Sequence, residues 1–220
     1  MQTTILPLSR KLSDISISTG RTTGRVLKCL AFGFLLMAQL QLKAQLKDPD
    51  YIKLTGIDYQ TGDIDEAMRL LPLLEKKYPD NPHVLTERGG WQLYGEGDVN
   101  AALISLSKAV RLLPEDDNLL TLRGIAFFRK GLIEKAIADQ EAAIAINPKP
   151  VMFYIKLGNY QYALKQFGQA LATFLKAVEV KPGAAEAYGD AFAAYAALNK
   201  SEEPAKLFES GLKQRGMDIG

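Results

Sequence analysis

The chain has 220 residues, 47% of them hydrophobic, with 27 Lys and Arg against 25 Asp and Glu, so it can bury a sizeable core and is neither collagen-like nor disordered throughout. Its charge is uneven, because residues 1–44 hold six basic side chains and one acidic one, whereas residues 45–220 hold 21 basic and 24 acidic ones. The larger part therefore lacks the basic surface expected of a nucleic-acid-binding protein, and one Cys and one His leave too few ligands for a typical zinc site.

Residues 29–38 form an uncharged apolar run, CLAFGFLLMA, which follows the basic residues Arg21, Arg25 and Lys28. As a helix, ten residues at about 1.5 Å each would span about half of the roughly 30 Å hydrocarbon core. A basic segment, an apolar run of this length and a small residue at Ala44 are typical of a secretory signal peptide. We therefore expect residues 1–44 to be a leader that is cleaved after Ala44 and exports the protein to the periplasm or beyond.

The leader has alternative interpretations. Ala38 is a second candidate cleavage site, and an uncleaved apolar run would anchor the chain in a membrane. The run could also be a buried structural helix. Residues 1–28 are rich in Ser, Thr and Arg, which fits a disordered upstream segment or an organelle transit peptide.

A 34-residue period runs through the chain from residue 48 onward. When the recurring proline is counted as position 32 of a unit, glycine recurs at position 8 and alanine at positions 20 and 27. The residues are Pro114, Pro148 and Pro182; Gly90, Gly124 and Gly158; Ala102, Ala136 and Ala170; and Ala109, Ala143 and Ala177. Agreement at all twelve sites is far outside chance, and this period is typical of a helical repeat array.

With these proline, glycine and alanine positions the chain resembles the tetratricopeptide repeat family, whose unit is a hairpin of a helix A, a turn and a helix B. The resemblance implies an all-α fold, namely a right-handed α-solenoid of about five hairpins after the leader. The units occupy residues 48–81, 83–116, 117–150, 151–184 and 185–218, so the array covers residues 48–218. Its first and last units diverge most from the pattern.

The repeated residues have physical reasons that do not depend on the family. Two helices cross closely only where the facing side chains are small, as at positions 8 and 20. Proline ends helix B because it lacks an N–H group and restricts the residue before it. Position 15 is the turn between the helices, where glycine easily reaches positive φ. It is Gly62, Gly97 and Gly131 in the first three units, whereas the fourth has Lys165 there and Gly168 three residues later.

No catalytic constellation is visible in the sequence. His83, the single histidine, follows Pro82 and has no Cys or second His nearby, so we expect it to be a structural or surface residue. Gly89 and Gly90 lack the Gly-Lys-Ser/Thr ending of a phosphate-binding loop. Acidic residues fall mainly in turns and first helical turns, where they interact favourably with the helix dipole. We therefore expect a non-catalytic protein that needs no cofactor and no metal.

The resemblance also implies a binding surface, because helix A positions 2, 5, 9, 12 and 13 line the concave face in this family. The partner-binding residues that it implies are Tyr59, Glu87, Trp91, Tyr94, Phe128, Arg129, Asn159 and Tyr162. Tyr, Trp and Arg are large anchors, so the expected guest is a peptide segment or helix of a partner protein. The aromatic residues could instead pack between neighbouring A helices, or the face could bind another copy of this chain.

The predicted function is that of an exported protein-interaction scaffold or adaptor. The alternatives are a membrane-tethered assembly subunit with an uncleaved leader and, third, an enzyme accessory or hydrolase. Some family members hold the C-terminal carboxylate of chaperones with Lys, Asn and Arg on their A helices. Only Asn159 stands at such a position here, so that ligand is not expected.

Overall fold

A computed structural model describes residues 47–57 and 63–200 as helices joined by short connections, with no strand in these two ranges. The predicted all-α class is therefore confirmed. The leader at residues 1–44, Tyr59 and residues 201–218 of the last unit lie outside the described residues. The helices are α1 Pro49–Thr55, α2 Ile64–Lys77, α3 Pro82–Tyr94, α4 Val99–Leu112, α5 Asp117–Arg129, α6 Ile133–Ile146, α7 Val151–Ala163, α8 Phe167–Val180 and α9 Ala185–Ala197.

The helices pack in consecutive pairs, and each pair packs on the next. The pairs are α1 with α2, α3 with α4, α5 with α6 and α7 with α8, and α9 follows against α8. We call α1, α3, α5, α7 and α9 the A helices and the others the B helices, and we call the surface that the A helices form the A-helix face. None of the helices within the two described ranges is long and apolar enough to cross a bilayer.

Local sequence explains where these helices begin and end. The side chains of Asp63, Asp98 and Asp116 cap helix starts by accepting hydrogen bonds from backbone N–H groups 2.9 to 3.0 Å away. The helices α4, α6 and α8 each end two residues before the recurring proline, because the residue before a proline is disfavoured in the helical conformation.

Position 15 has left-handed backbone in every unit in which it is described. Its φ is 72° at Gly97, 78° at Gly131, 60° at Lys165 and 56° at Asn199. The predicted glycine turn is thus a requirement of the backbone, and the fourth unit meets it with a lysine. Gly168 does not replace the missing turn glycine, since it lies inside α8.

The close crossing predicted for positions 8 and 20 is present in the third unit. A Cβ atom on Gly124 would lie 3.4 Å from the carbonyl oxygen of Ala136. The fourth unit differs, since a Cβ on Gly158 would lie 2.3 Å from the Phe174 ring instead of meeting Ala170 first. Position 8 therefore admits either a helix backbone or a large side chain from the partner helix.

In the second unit a very close contact lies one residue before position 8. A Cβ on Gly89 would lie 2.5 Å from Cγ of Leu106. Gly89 is at position 7, next to the predicted Gly90, and both glycines are buried. The absence of a side chain at Gly89 therefore lets Leu106 of α4 pack directly on the α3 backbone.

Candidate functional site

The helices α3 and α5 are joined by two predicted site residues at their C-terminal ends. The guanidinium carbon of Arg129 lies 4.7 Å from the ring centroid of Tyr94. The Arg129 Nη1 atom also donates a hydrogen bond to the backbone oxygen of Leu93 at 2.7 Å. Burial raises the pKa of the Tyr94 hydroxyl, and the charge of Arg129 opposes that rise. Arg129 itself remains exposed on this face.

The helices α5 and α7 are joined in the same region by an aromatic stack. The rings of Phe128 and Tyr160 are 4.8 Å apart between centroids, with 29° between their planes. Phe128 was predicted and is half-buried, whereas Tyr160 is only 3% exposed and sequence analysis missed it. Burial is the main cause that raises the pKa of Tyr160, followed by Tyr94 and Asp139. Three consecutive A helices are thus linked through aromatic side chains.

Trp91 does not lie on an open surface. Its side chain is 0% exposed and belongs to an apolar cluster that joins α1 and α2 to α3, with Leu54, Leu70 and Val84 among its members. This burial contradicts an anchoring role for Trp91 at the A-helix face. It fits the alternative that an aromatic at position 9 packs against the preceding unit.

The remaining predicted residues are spread over the A helices. Glu87 is half-buried near Tyr51, and its charge adds to the burial that raises the pKa of Tyr51 to about 12. Asn159 is exposed on α7. Tyr162 is half-buried and meets the ring of Phe167 edge-on at 5.0 Å, so it faces the start of its own B helix. The structure brings Tyr94, Phe128 and Arg129 together, whereas Tyr162 packs on Phe167 instead.

Parts of the repeat array are similar in sequence to known proteins. The family model described as "Tetratricopeptide repeat" matches residues 118–150 and 153–183, which contain α5 with α6 and α7 with α8. These two segments match the tetratricopeptide repeat. It is 32% identical over 85 residues to "Small glutamine-rich tetratricopeptide repeat-containing protein 2" of Mycosarcoma maydis, which covers 39% of this chain and 24% of that protein. The chain thus matches about a quarter of this relative's length.

Solved structures with similar folds support the same conclusion. A crystal structure of MamA superposes with a TM-score of 0.65 and 28% identity, covering 77% of this chain and 95% of that one. The first TPR of Spaghetti (RPAP3), bound to the HSP90 peptide SRMEEVD, superposes with a TM-score of 0.51 and 25% identity, covering 54% and 93% of the two chains. The fold is therefore an α-solenoid of the tetratricopeptide type.

Within the hairpins a polar contact joins helix A to helix B at position 23. Ser105 and Thr173 each donate a hydrogen bond at 2.7 Å, to Gln92 and Gln161 respectively. In the third hairpin the corresponding residue is Asp139, which accepts a forked pair of hydrogen bonds from Arg123 at 2.6 and 2.7 Å. The recurrence of Ser, Asp and Thr at one position was the sequence signal for these contacts, which were not predicted.

Charged groups gather where α7 meets α9. Burial lowers the pKa of Lys156 on α7, while the charge of Glu186 on α9 opposes this effect. Burial also raises the pKa of Asp190, one helical turn after Glu186, and the charge of Glu186 raises it further. Charged side chains thus lie where α7 meets α9, whereas aromatic side chains lie where α3, α5 and α7 meet.

His83 is the second residue of α3, and its backbone N–H donates a hydrogen bond to the Asn81 side chain at 2.9 Å. Burial lowers the pKa of its imidazole, with Asp116 acting in the opposite direction. Among the residues that the structure describes, no group of three or more His, Cys, Asp or Glu side chains could hold a metal ion.

Proposed function

We propose that this chain is a non-catalytic interaction scaffold that binds a peptide or helix of a partner protein across its A helices. The observation that carries the proposal is the linked set of Tyr94, Arg129, Phe128 and Tyr160, which spans α3, α5 and α7. The half-buried rings of Tyr94 and Phe128 provide apolar contact area at low entropic cost. Arg129 is exposed beside the ring of Tyr94, and Asn159 is exposed on α7 next to Tyr160 in sequence, so both offer hydrogen-bond donors.

The similar fold of the Spaghetti domain, which was solved with a bound HSP90 peptide, supports a peptide guest for this chain as well. We do not expect this chain to bind the same peptide. Of the Lys, Asn and Arg of a two-carboxylate clamp, only Asn159 was found at a matching position. We therefore propose that the bound peptide is recognised mainly by aromatic packing and by Arg129.

A selected peptide tests this proposal. A randomised 12-residue display library is panned on the purified protein, and the tightest peptide is labelled and titrated into wild type and into Phe128→Ala, Arg129→Ala and Asn159→Ala. We expect at least one of these variants to bind about tenfold more weakly, which corresponds to about 1.4 kcal/mol. Glu141→Ala and Glu179→Ala, exposed on B helices, are the controls. Equal affinities in all five variants, or no binding peptide, would contradict the proposal.

We also propose that the protein works in the cell envelope or outside the cell, with the leader at residues 1–44 removed. Mass spectrometry of the N-terminal peptide of the native protein tests this placement. An N terminus at Gln45 or Gln39 supports export with cleavage after Ala44 or Ala38. An intact leader in a membrane fraction would instead support the alternative, a membrane-tethered assembly subunit.

A further inference from the structure

The third hairpin has a buried polar side chain at position 24, where its two neighbours have apolar ones. Position 24 is Leu106 in the second unit and Phe174 in the fourth, but Gln140 in the third, and all three are at most 1% exposed. The Gln140 amide reaches the Thr121 hydroxyl at a long 3.4 Å. Its Oε1 atom has no hydrogen-bond partner within the described part of the chain. A buried acceptor that remains unsatisfied is destabilising.

Packing at the helix crossing shows the same contrast. Leu106 packs on Gly89 and Phe174 packs on Gly158, so a large apolar side chain fills each neighbouring hairpin. The nearest atoms to the Cβ direction of Gly124 are the backbone of Ala136 and the Cβ of Asp139. The α5 and α6 backbones therefore meet closely without a large apolar side chain between them.

The ion pair in this interior does not replace the missing apolar contacts. Arg123 and Asp139 form a forked pair whose side chains are 19% and 9% exposed. Removing two charges from water offsets much of the attraction between them, so a buried pair adds little net stability. At the crossing of its two helices the third hairpin thus has small and polar groups, whereas each neighbour has a large apolar side chain there.

We propose that the hairpin of α5 and α6 is the flexible joint of this solenoid, at which the α3–α4 hairpin moves relative to α7 and α8. In a repeat array each hairpin contacts only its neighbours, so local stability follows local packing, and elements that move come from the least stable part of a fold. Phe128 and Arg129 lie on α5. The joint therefore carries residues of the proposed binding face and can alter the spacing of α3, α5 and α7.

Hydrogen exchange of the whole protein, followed by mass spectrometry, tests this inference without a ligand. Peptides from α5 and α6 should exchange at least tenfold faster than those from the helix interiors of α3, α4, α7 and α8. An evenly packed array would not show this order, because an internal unit packs against a neighbouring unit on each side and should exchange no faster than the units beside it. Equal or slower exchange in the third hairpin would overturn the proposal.

The variant Gln140→Leu places at position 24 the residue that the second unit has there. Exchange in α5 and α6 should slow at least tenfold and that in α7 and α8 should not change. Glu141→Leu, exposed on the same helix, is the matched control and should leave all rates unchanged. Because Gln140→Leu removes the partner of Thr121, the double variant with Thr121→Val is measured as well. If neither variant slows exchange in the third hairpin, its polar interior is not the cause of flexibility.

Discussion

Replacing Gly158 by alanine perturbs the tightest helix contact in the molecule's fourth hairpin. The new Cβ would lie 2.3, 2.6 and 2.8 Å from three carbons of the Phe174 ring. Carbon atoms in favourable contact are about 3.5–4.0 Å apart, so the ring would have to move by more than about 1 Å. Phe174 is 1% exposed and surrounded by the cluster of α8 and α9, which leaves the ring no open direction.

Two opposing effects determine how much Gly158→Ala changes the free energy of unfolding. Overpacking a core costs about 1–3 kcal/mol, and the upper value applies because a Cβ fixed to the backbone meets a buried ring. Alanine is better than glycine in a helix by about 1 kcal/mol. The free energy of unfolding should therefore fall by about 2 kcal/mol, which lowers Tm by about 4–8 °C for a chain of this size.

Gly189→Ala is the matched control, since this glycine also lies in an A helix but has nothing within 4 Å of its Cβ direction. It should raise the free energy of unfolding by about 0.5–1 kcal/mol. Both variants are compared with wild type by denaturant titration and melting, followed by helical circular dichroism. If Gly158→Ala is as stable as wild type, the packing of Phe174 against α7 is wrong.

Three further substitutions test other parts of the structure. Lys165→Gly should stabilise the protein by about 1 kcal/mol in the same titration, because it removes the strain of a left-handed lysine at φ 60°. Ala136→Leu should destabilise by about 1–3 kcal/mol, since Ala136 is fully buried, and Ala138→Leu at an exposed site should change little; equal stability of the two would refute the repeat register. Burial lowers the pKa of His83 in the folded state below 6.5, although the charge of Asp116 opposes this shift. The unfolded chain therefore binds a proton at His83 at a higher pH than the folded chain does, so unfolding takes up a proton as the pH falls. The free energy of unfolding should decrease from about pH 7 to about pH 5, and it should decrease less in His83→Gln.

Repeat period and helix ends could be predicted because they depend on local backbone rules. Proline ends helix B and position 15 needs a positive φ, and both signals recur every 34 residues. The lysine at position 15 shows that the backbone requirement persists where the glycine signal is lost.

The candidate site was harder to predict because it depends on which neighbour a side chain meets. Position 9 marked Trp91 as a surface residue, but the first hairpin buries it completely. Tyr160 lies outside the expected positions and was found only through its stack with Phe128. The burial of Gln140 at position 24 could not be predicted either. The sequence shows that a polar residue stands there, but it does not show that the side-chain oxygen lacks a hydrogen-bond partner among the described residues.

Binding at the A-helix face is tested most directly by an NMR footprint of the selected peptide on the 15N-labelled protein. The largest amide shifts should cluster at the ends of α3, α5 and α7, around Tyr94, Phe128 and Arg129, with little change on α4 and α6. Shifts centred on the B helices, or a bound peptide that leaves the amides of α3, α5 and α7 unperturbed, would contradict the A-helix face as the binding surface.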